Sequence, residues 1–261
     1  MHDLPPAAAC PVAVITGGAS SVGLWTARKF VEVGYQVYIC DANERLLNDA
    51  LRNHTALRGT LADVGSITDV DRFFTEVLSC TDAVDVLVNN VGIAGPKADL
   101  EDIPVEEWHR VIAANLNGMF YTLRRVLPQM KARRQGSIIN ISSASTRTAL
   151  PFRLAYVASK AGVEGLTRAL AREVGPYNIR CNSILPGMID NDRMRAIVAR
   201  KACDEGLGEQ QVLEGYLRYI SMGCMVEPEE IADMALFLAS PAARHVTGQL
   251  IGVDGNIEWE T

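Results

Sequence analysis

The 261-residue sequence has few of the features that mark metal-binding, disulfide-bonded or membrane proteins. Its six cysteines include no C-x-x-C pair and its four histidines show no metal-ligand spacing, which indicates reduced thiols and no structural metal. No segment approaches the roughly 20 apolar residues that span a bilayer. The opening residues lack the basic start of a secretory signal peptide. We therefore expect a soluble, cytoplasmic protein.

An excess of positive charge is also absent. The formal net charge is −6, which disfavours a general affinity for nucleic acid or for an anionic membrane. One basic cluster does occur, at Arg124, Arg125, Lys131, Arg133 and Arg134. Because cations are favourable at the negative end of a helix, we interpret this cluster as a solvated helix end.

Short apolar runs alternate with longer helical segments along the chain. The chain length and the 48% hydrophobic content suit one large core, so we predict a single domain over residues 1–261. Strands are predicted at 12–16, 36–40, 55–60, 84–89, 137–142, 179–185 and 249–253, and helices at 21–33, 43–52, 66–79, 104–132, 155–175 and 228–239. This rhythm of βαβ crossovers predicts an α/β fold with a doubly wound, Rossmann-type sheet of seven parallel strands and helices on both faces.

The least regular segment is 188–226, which follows Pro186 and Gly187. An insertion at this point lies outside the carboxyl ends of the strands, where open α/β sheets bind their ligands. We therefore predict that residues 188–226 form a substrate-binding lid.

The first strand runs into a glycine-containing turn that opens a helix. Glycines at such a turn let backbone N–H groups approach a pyrophosphate. Asp41 ends the second strand, where a carboxylate can hold the hydroxyls of an adenosine ribose, although it could also be a turn acid ahead of the next helix. The same carboxylate would repel a 2′-phosphate, and no arginine follows it directly, so the sequence favours NAD over NADP. The predicted dinucleotide-binding residues in this part of the chain are Gly17, Ser20, Ser21, Val22, Gly23 and Asp41.

Tyr156 and Lys160 lie four residues apart in a segment that is predicted to be helical, so both side chains should leave the same face. A nearby cation favours the ionised form of a phenol. Tyr156 could then exchange a proton with an alcohol as a hydride moves to a nicotinamide. Taken alone, a pair at this spacing is more often a surface contact.

Taken together, the motifs resemble the short-chain dehydrogenase/reductase family, in its compact single-domain branch, over about residues 12–255. The resemblance rests on Thr16-Gly17 with Gly23 after strand one, Asp63-Val64 after strand three, Asn89-Asn90-Val91-Gly92 after strand four, Asn115 in the long helix, Ser143 after strand five, Tyr156-x-x-x-Lys160, and Pro186-Gly187 after strand six.

The resemblance implies a role for each of these residues. Ser143 would hold the substrate oxygen beside Tyr156, with Ser142 as its rival, and Asn115 would kink its helix and hold a water that links Lys160 to solvent. Implied cofactor contacts are Asp63 and Val64 at the adenine, Asn90, Tyr156 and Lys160 towards the nicotinamide ribose, and Pro186, Gly187, Ile189 and Asn191 towards the carboxamide. The resemblance also implies a homotetramer that packs the helices near 104–132 and 155–175 across subunits.

The sequence departs from the family pattern at three positions. Ser21 stands where a further glycine is usual, so its side chain must avoid the phosphates or hydrogen-bond to them. Asn191 stands where a threonine often meets the carboxamide, and it can still donate and accept hydrogen bonds. Val91 replaces an alanine and adds bulk near the cofactor.

These observations predict an NAD-dependent oxidoreductase that interconverts a secondary alcohol, polyol or hydroxy acid and the matching ketone, with Tyr156 as the acid/base. One alternative is an NADPH-dependent 3-oxoacyl-thioester reductase of the same family. Another, from a different class, is an NAD-binding sensor or scaffold without catalysis.

The sequence gives only a hint of the substrate. Arg153 lies three residues before Tyr156, and guanidinium groups bind carboxylate and phosphate well, so an anionic substrate held by Ser143, Tyr156 and Arg153 is a hypothesis. Four more cations, Arg193, Arg195, Arg200 and Lys201, occur in the predicted lid. We interpret these four as a solvated helix face.

Overall fold

A computed structural model gives the fold and describes residues 10–258. The segment that carries the signal-peptide expectation therefore lies outside the described residues. Within residues 10–258, no helix is both long enough and apolar enough to cross a membrane.

One sheet of seven parallel strands forms the centre of the fold. The strands are β1 (Val12–Thr16), β2 (Gln36–Asp41), β3 (Leu57–Leu61), β4 (Val86–Asn89), β5 (Gly136–Ile141), β6 (Ile179–Pro186) and β7 (Leu250–Val253). Their order is β3-β2-β1-β4-β5-β6-β7, with every neighbouring pair parallel. The predicted seven-stranded α/β fold is confirmed. The strand order reverses between β1 and β4, which places the ligand crevice at the carboxyl ends of these strands.

Helices cover both faces of the sheet. They are α1 (Ser21–Glu32), α2 (Glu44–Asn53), α3 (Ile67–Cys80), α4 (Val105–Ile112), α5 (Gly118–Arg133), α6 (Ser145–Thr148), α7 (Leu154–Val174), α8 (Asp192–Glu205), α9 (Glu209–Leu217) and α10 (Pro228–Ala239). Alternation along β1 divides the core, because Val12 and Val14 face α3, α5 and α7 whereas Ala13 and Ile15 face α1, α2 and α10. Every residue of β1 is buried, as expected for a strand covered on both sides.

Two predicted strands begin two residues later than the sequence pattern indicates. The predicted strand 55–60 is β3, Leu57–Leu61, because the amide of Leu57 closes a turn onto the carbonyl of His54. The predicted strand 84–89 starts its pairing at Val86. Both errors lie at element ends, where apolar patterning does not reveal which residues pair.

The predicted single helix over 104–132 is wrong in one respect. Its middle, Ala113–Asn117, is a π-helical segment that separates α4 from α5. Such π-segments interrupt the regular ladder and occur often at functional sites. Here the segment displaces one turn of the chain and places Asn115 against the loop after β4.

Residues 188–226, the least regular segment by sequence, contain two helices, α8 and α9, that the sequence pattern did not predict. α8 and α9 pack on each other through Val198, Ala202 and Val212. A parallel bridge between Ile189 and Val226 draws the two ends of the segment together. The two helices therefore follow the carboxyl end of β6, at the place where the lid is predicted.

Candidate active site

The turn between β1 and α1 leaves no room for side chains at its glycines. A β-carbon at Gly23 would lie 2.0 Å from the carbonyl oxygen of Gly17, and one at Gly18 would lie 2.5 Å from a methyl carbon of Ile39. Gly17 has a φ of +62°, which favours glycine. The side chains of Ser20, Ser21 and Val22 complete the turn at the start of α1. This compact backbone at a helix N-terminus fits the pyrophosphate of a dinucleotide.

Asp41 faces the same turn from the end of β2. Its carboxylate accepts hydrogen bonds from the backbone amides of Ala19 (3.3 Å) and Asn43 (2.9 Å). No ion pair among the described residues involves Asp41. The carboxylate therefore stands beside the glycine turn with its negative charge uncompensated.

Asn90 supports the turn. Its side-chain amide donates to the carbonyl oxygens of Thr16 (3.1 Å) and Gly17 (3.0 Å), so both contacts of this group are with the backbone of the turn. Asp63 accepts a hydrogen bond from the amide of Gly65 (2.8 Å) in the loop after β3. Val64 is buried against Gly118, the first residue of α5. All these residues lie at the carboxyl edge of the sheet, as predicted.

Ser21 and Asn191, two of the departures from the family pattern, contact each other. The Asn191 amide nitrogen donates to the Ser21 hydroxyl oxygen (3.1 Å), and the Asn191 carbonyl oxygen accepts from the amide of Met194 (2.9 Å) as the N-cap of α8. Ser21 adopts a φ of +44°, a left-handed conformation that costs about 1–2 kcal/mol for a residue with a β-carbon. The glycine turn is therefore hydrogen-bonded directly to the residue that caps α8.

We expect Asn191→Ala to loosen the start of α8. Loss of the N-cap costs about 1 kcal/mol, so the amides of the first turn of α8 should exchange with deuterium several-fold faster. Ser21→Gly is the matched control, since it removes the bond to Asn191 but keeps the cap and relieves the positive φ. Equal exchange of α8 in Asn191→Ala and in the unmodified protein would contradict this assignment.

The two serines after β5 have different surroundings. The Ser142 hydroxyl is buried and shares its hydrogen between the Lys160 carbonyl oxygen (3.1 Å) and the Glu164 carboxylate (2.9 Å). The Ser143 hydroxyl lines the large cleft and accepts from the Ser145 amide (3.2 Å) and the Ser145 hydroxyl (2.9 Å). Because both bonds are accepted, the Ser143 hydrogen is free to donate to a substrate oxygen. Sequence reasoning missed Ser145, whose spacing from Ser143 suits a serine turn.

Tyr156 and Lys160 share one face of α7 at the same end of the cleft. Tyr156 lines the cleft, whereas the Lys160 side chain is 2% exposed and places its ammonium 6.0 Å from the centre of the Tyr156 ring. The ammonium donates to the carbonyl oxygen of Ile141 at the end of β5 (2.7 Å). The predicted pair is thus anchored to the sheet and is not a surface contact.

The environment of Lys160 disfavours its protonated, charged form. Burial, and to a smaller extent the positive charge of Arg193, lowers the pKa of Lys160 from 10.5 to about 8. A glycine makes room for the ammonium, because a β-carbon at Gly92 would lie 3.0 Å from the Lys160 nitrogen. A buried lysine with so perturbed a pKa, directly behind a tyrosine that lines a cleft, is typical of a functional site.

Asn115 is buried and uses its side chain to fix the loop after β4. Its amide oxygen accepts from the amide of Ile93 (2.8 Å), and its amide nitrogen donates to the Ile93 carbonyl (3.0 Å) and to the Ser159 hydroxyl (2.9 Å). Ser159 in turn donates to the Tyr156 carbonyl oxygen (2.7 Å). Asn115 therefore links the π-helical segment to α7, and Ser159 is a connecting residue that the sequence pattern did not reveal.

A cleft of about 840 Å³ lies between the sheet edge and the lid. Pro186, Gly187, Ile189 and Asn191 line it on the β6 side, and Arg153 lines it beside Tyr156. Three of the four lid cations, Arg193, Arg200 and Lys201, also line the cleft. Arg193 and Arg200 are at the same time exposed, as a solvated face predicts, and the exposed side chain of Arg195 pairs with Asp190 (2.9 Å). The helical spacing of 193, 197 and 200 turns these residues towards one side.

Comparison with known proteins agrees with this geometry. Residues 17–256 match the family profile described as enoyl-(acyl carrier protein) reductase. The chain belongs to the short-chain dehydrogenase/reductase family. The resemblance seen in the sequence is confirmed, and membership of this family makes the protein an oxidoreductase of the nicotinamide-dependent type.

Relatives within the short-chain dehydrogenase/reductase family differ in substrate. The chain is 35% identical over 251 residues to D-beta-hydroxybutyrate dehydrogenase of Rhizobium meliloti, covering 93% of this chain and 96% of the relative. It is also 35% identical over 250 residues to the 3-oxoacyl-[acyl-carrier-protein] reductase FabG of Thermotoga maritima, covering 94% and 97%.

Solved structures of the family differ in cofactor. An actinorhodin polyketide ketoreductase variant with NADPH superposes with a TM-score of 0.89 and 30% identity, covering 94% of this chain and 96% of that chain. NAD⁺-bound xylitol dehydrogenase superposes with a TM-score of 0.87 and 27% identity, covering 94% and 98%. The family relationship thus fixes the class of reaction, and the residues of this chain must indicate the cofactor and substrate.

Proposed function

We propose that the protein is an NAD-dependent dehydrogenase that interconverts a secondary alcohol and the matching ketone. The observation that carries the proposal is that Ser143 and Tyr156 line one cleft while the buried ammonium of Lys160 lies 6.0 Å from the centre of the Tyr156 ring and is anchored to the end of β5. Bound nicotinamide supplies the hydride acceptor or donor. The glycine turn, Asp41, Asp63 and Val64 would hold the adenosine side, while Pro186, Gly187, Ile189 and Asn191 would hold the nicotinamide side.

The chain's own residues handle the proton. Ser143 donates its free hydrogen to the substrate oxygen and holds that oxygen beside the Tyr156 hydroxyl. Tyr156 removes the alcohol proton during oxidation, or returns it during ketone reduction. The Lys160 ammonium stabilises the phenolate electrostatically from a site where little water screens it. Asn115 is a positioning residue, because its hydrogen bonds fix the loop after β4 relative to α7.

The preference for NAD rests on the uncompensated charge of Asp41. A 2′-phosphate on the adenosine ribose would approach this carboxylate, and like charges at that separation repel. The ribose hydroxyls of NAD can instead donate to the carboxylate oxygens.

Steady-state kinetics with both cofactors tests this preference. We expect kcat/KM for NAD⁺ to exceed that for NADP⁺ by about 10–100-fold, as for one unfavourable charge pair. Asp41→Asn, which removes the charge but keeps one acceptor oxygen, should reduce this ratio about tenfold. A ratio near one in the unmodified protein, or no change in Asp41→Asn, would refute the assignment.

A second candidate is an NADPH-dependent 3-oxoacyl-thioester reductase, favoured by the similarity to FabG and by the ketoreductase structure with NADPH. The same kinetics separate the two, because this candidate requires a preference for NADPH and turnover of an acyl thioester. A sensor or scaffold without catalysis would have no use for a free serine hydrogen aimed at the cleft beside Tyr156. The homotetramer stays a prediction, to which the exposed side chains of Leu100, Val105 and Phe120 are suited.

A further inference from the structure

The large cleft has the opposite charge to the protein as a whole. The chain carries a net charge of −6, yet the residues that line the cleft include Lys97, Arg153, Arg193, Arg200, Lys201 and Arg218 against the two carboxylates Asp204 and Glu205. A concentration of one sign in a concave site focuses the potential on a ligand of the other sign. The cleft is therefore electrostatically suited to an anion.

Some of these cations already have partners. Lys201 pairs with Glu205 (3.8 Å) and lies 4.7 Å from the centre of the Tyr216 ring. Arg218 lies over the ring of Tyr219, with its guanidinium 4.6 Å from the ring centre. Their charges are satisfied locally, so they are poor candidates for holding a ligand.

Among the cleft-lining arginines, Arg153 before α7 and Arg193 and Arg200 on α8 make neither an ion pair nor a ring contact within residues 10–258. Asp204 is one turn from Arg200 and makes no ion pair with it. Arg153 donates one N–H to the Gly95 carbonyl oxygen (2.7 Å), which leaves most of its donors directed elsewhere.

The three guanidinium groups act on one another. Burial and the charges of Arg193 and Arg200 lower the pKa of Arg153, while the phenols of Tyr156 and Tyr216 act in the opposite direction. Mutual repulsion without a carboxylate is unfavourable in the free protein, and a bound anion would relieve it. The repelling cluster lies beside Tyr156, so an anion held there would be part of the reacting molecule.

We propose that Arg153, Arg193 and Arg200 form an anion subsite that selects secondary alcohols, or their ketones, bearing a group or groups with two negative charges. A single carboxylate is satisfied by one bidentate arginine, whereas three unpaired guanidinium groups match a phosphate ester or a pair of carboxylates. This inference rests on the proposed function, since it names the substrate class for the same site.

A matched set of alcohols tests the subsite. The probes are 2-butanol, 3-hydroxybutyrate, malate and glycerol 3-phosphate, each with a secondary alcohol and with zero, one or two negative charges. We expect kcat/KM for at least one doubly charged probe to exceed that for 3-hydroxybutyrate by about 10–100-fold, as for one or two additional charge-assisted hydrogen bonds. Glycerol 3-phosphate as the better probe would indicate a phosphate, and malate two carboxylates.

Two variants on the same helix separate the subsite from a general charge effect. Arg200→Gln should reduce the preference for the doubly charged probe over 2-butanol by about 10–100-fold. Arg195→Gln removes the same charge from the side of α8 that pairs with Asp190, and should leave the preference unchanged. Equal effects of the two variants, or no preference for charge in the unmodified protein, would overturn the subsite.

Calorimetric titration keeps this inference distinct from the proposed function. Malate and glycerol 3-phosphate should bind to the unmodified protein and to Arg195→Gln, but at least tenfold more weakly to Arg200→Gln. This result, with no oxidation of any alcohol by either cofactor, would reject the proposed function and keep the anion subsite. Turnover of 2-butanol without binding of either doubly charged probe would reject the anion subsite and keep the proposed function.

Discussion

Tyr156→Phe is expected to lower kcat by about 10²–10⁴-fold, the usual contribution of a general acid/base. The substitution removes one oxygen and keeps the ring, so the packing of α7 and the anchoring of Lys160 to Ile141 should be unchanged. Because the phenol oxygen is the only atom lost, NAD binding should stay within a few-fold. Steady-state kinetics and equilibrium titration of NADH fluorescence measure the two effects separately.

A matched serine variant helps to interpret that result. Ser143→Ala should also lower kcat, because the hydroxyl that would hold the substrate oxygen is lost. Ser142→Ala should affect kcat less, because it removes a hydroxyl that is hydrogen-bonded to Lys160 and Glu164 inside the fold. Turnover in Tyr156→Phe within about tenfold of the unmodified protein would show that another group moves the proton.

Lys160→Met is expected to lower kcat by about 10²–10³-fold, comparable to the loss of one preorganised electrostatic contact. Methionine fills much of the same buried volume but leaves the phenolate without a neighbouring cation. Unlike Tyr156→Phe, this variant should also weaken NAD binding, because the family resemblance implies that Lys160 contacts the nicotinamide ribose. Retention of more than about a tenth of kcat would contradict the electrostatic role.

The same variant makes a prediction about stability and pH. The pKa of Lys160 is about 8 in the folded protein and 10.5 for an ordinary lysine, so between these values the unfolded chain binds more protons than the folded one. The contribution of Lys160 to the unfolding free energy therefore rises with pH through this window. The free-energy cost of burying the Lys160 ammonium is therefore complete below pH 8 and is lost above pH 10.5.

Urea unfolding of both proteins at pH 7 and pH 10.5 measures this effect. The stability of Lys160→Met relative to the unmodified protein should be greater at pH 7 than at pH 10.5, by on the order of 3 kcal/mol. The difference between the two pH values isolates the charge from the lost hydrogen bond to Ile141, since that bond is missing in the variant at both. A difference independent of pH would show that Lys160 is not desolvated.

Several elements of the site could be predicted because they are local in the chain. The glycine turn, Asp41 at the end of β2 and the Tyr156–Lys160 pair each depend on short spacings that a helix or a strand end converts directly into positions. The choice of Ser143 over Ser142 came from family spacing. The structure supplies its physical basis, which is that Ser142 is hydrogen-bonded inside the fold.

Other elements could not be predicted because they depend on contacts through space. The apolar pattern predicts a continuous helix over 104–132, and the interruption at Asn115 was implied only by the family resemblance. In the structure Asn115 hydrogen-bonds to Ile93 and to Ser159 from the π-helical segment. The sequence pattern predicts no helix over 188–226, yet α8 and α9 pack on one another around a small core of their own.

The sequence by itself determined the parallel α/β fold, the glycine turn and the position of Tyr156 and Lys160 on one helical face, because backbone periodicity and short spacings fix each of them. Only the tertiary structure decided that Ser21 meets Asn191 across 170 residues, and that Arg153 shares a cleft with Arg193 and Arg200. Those partners are brought together by the packing of the lid on the sheet edge. A one-dimensional pattern does not contain the direction in which a distant helix turns its side chains.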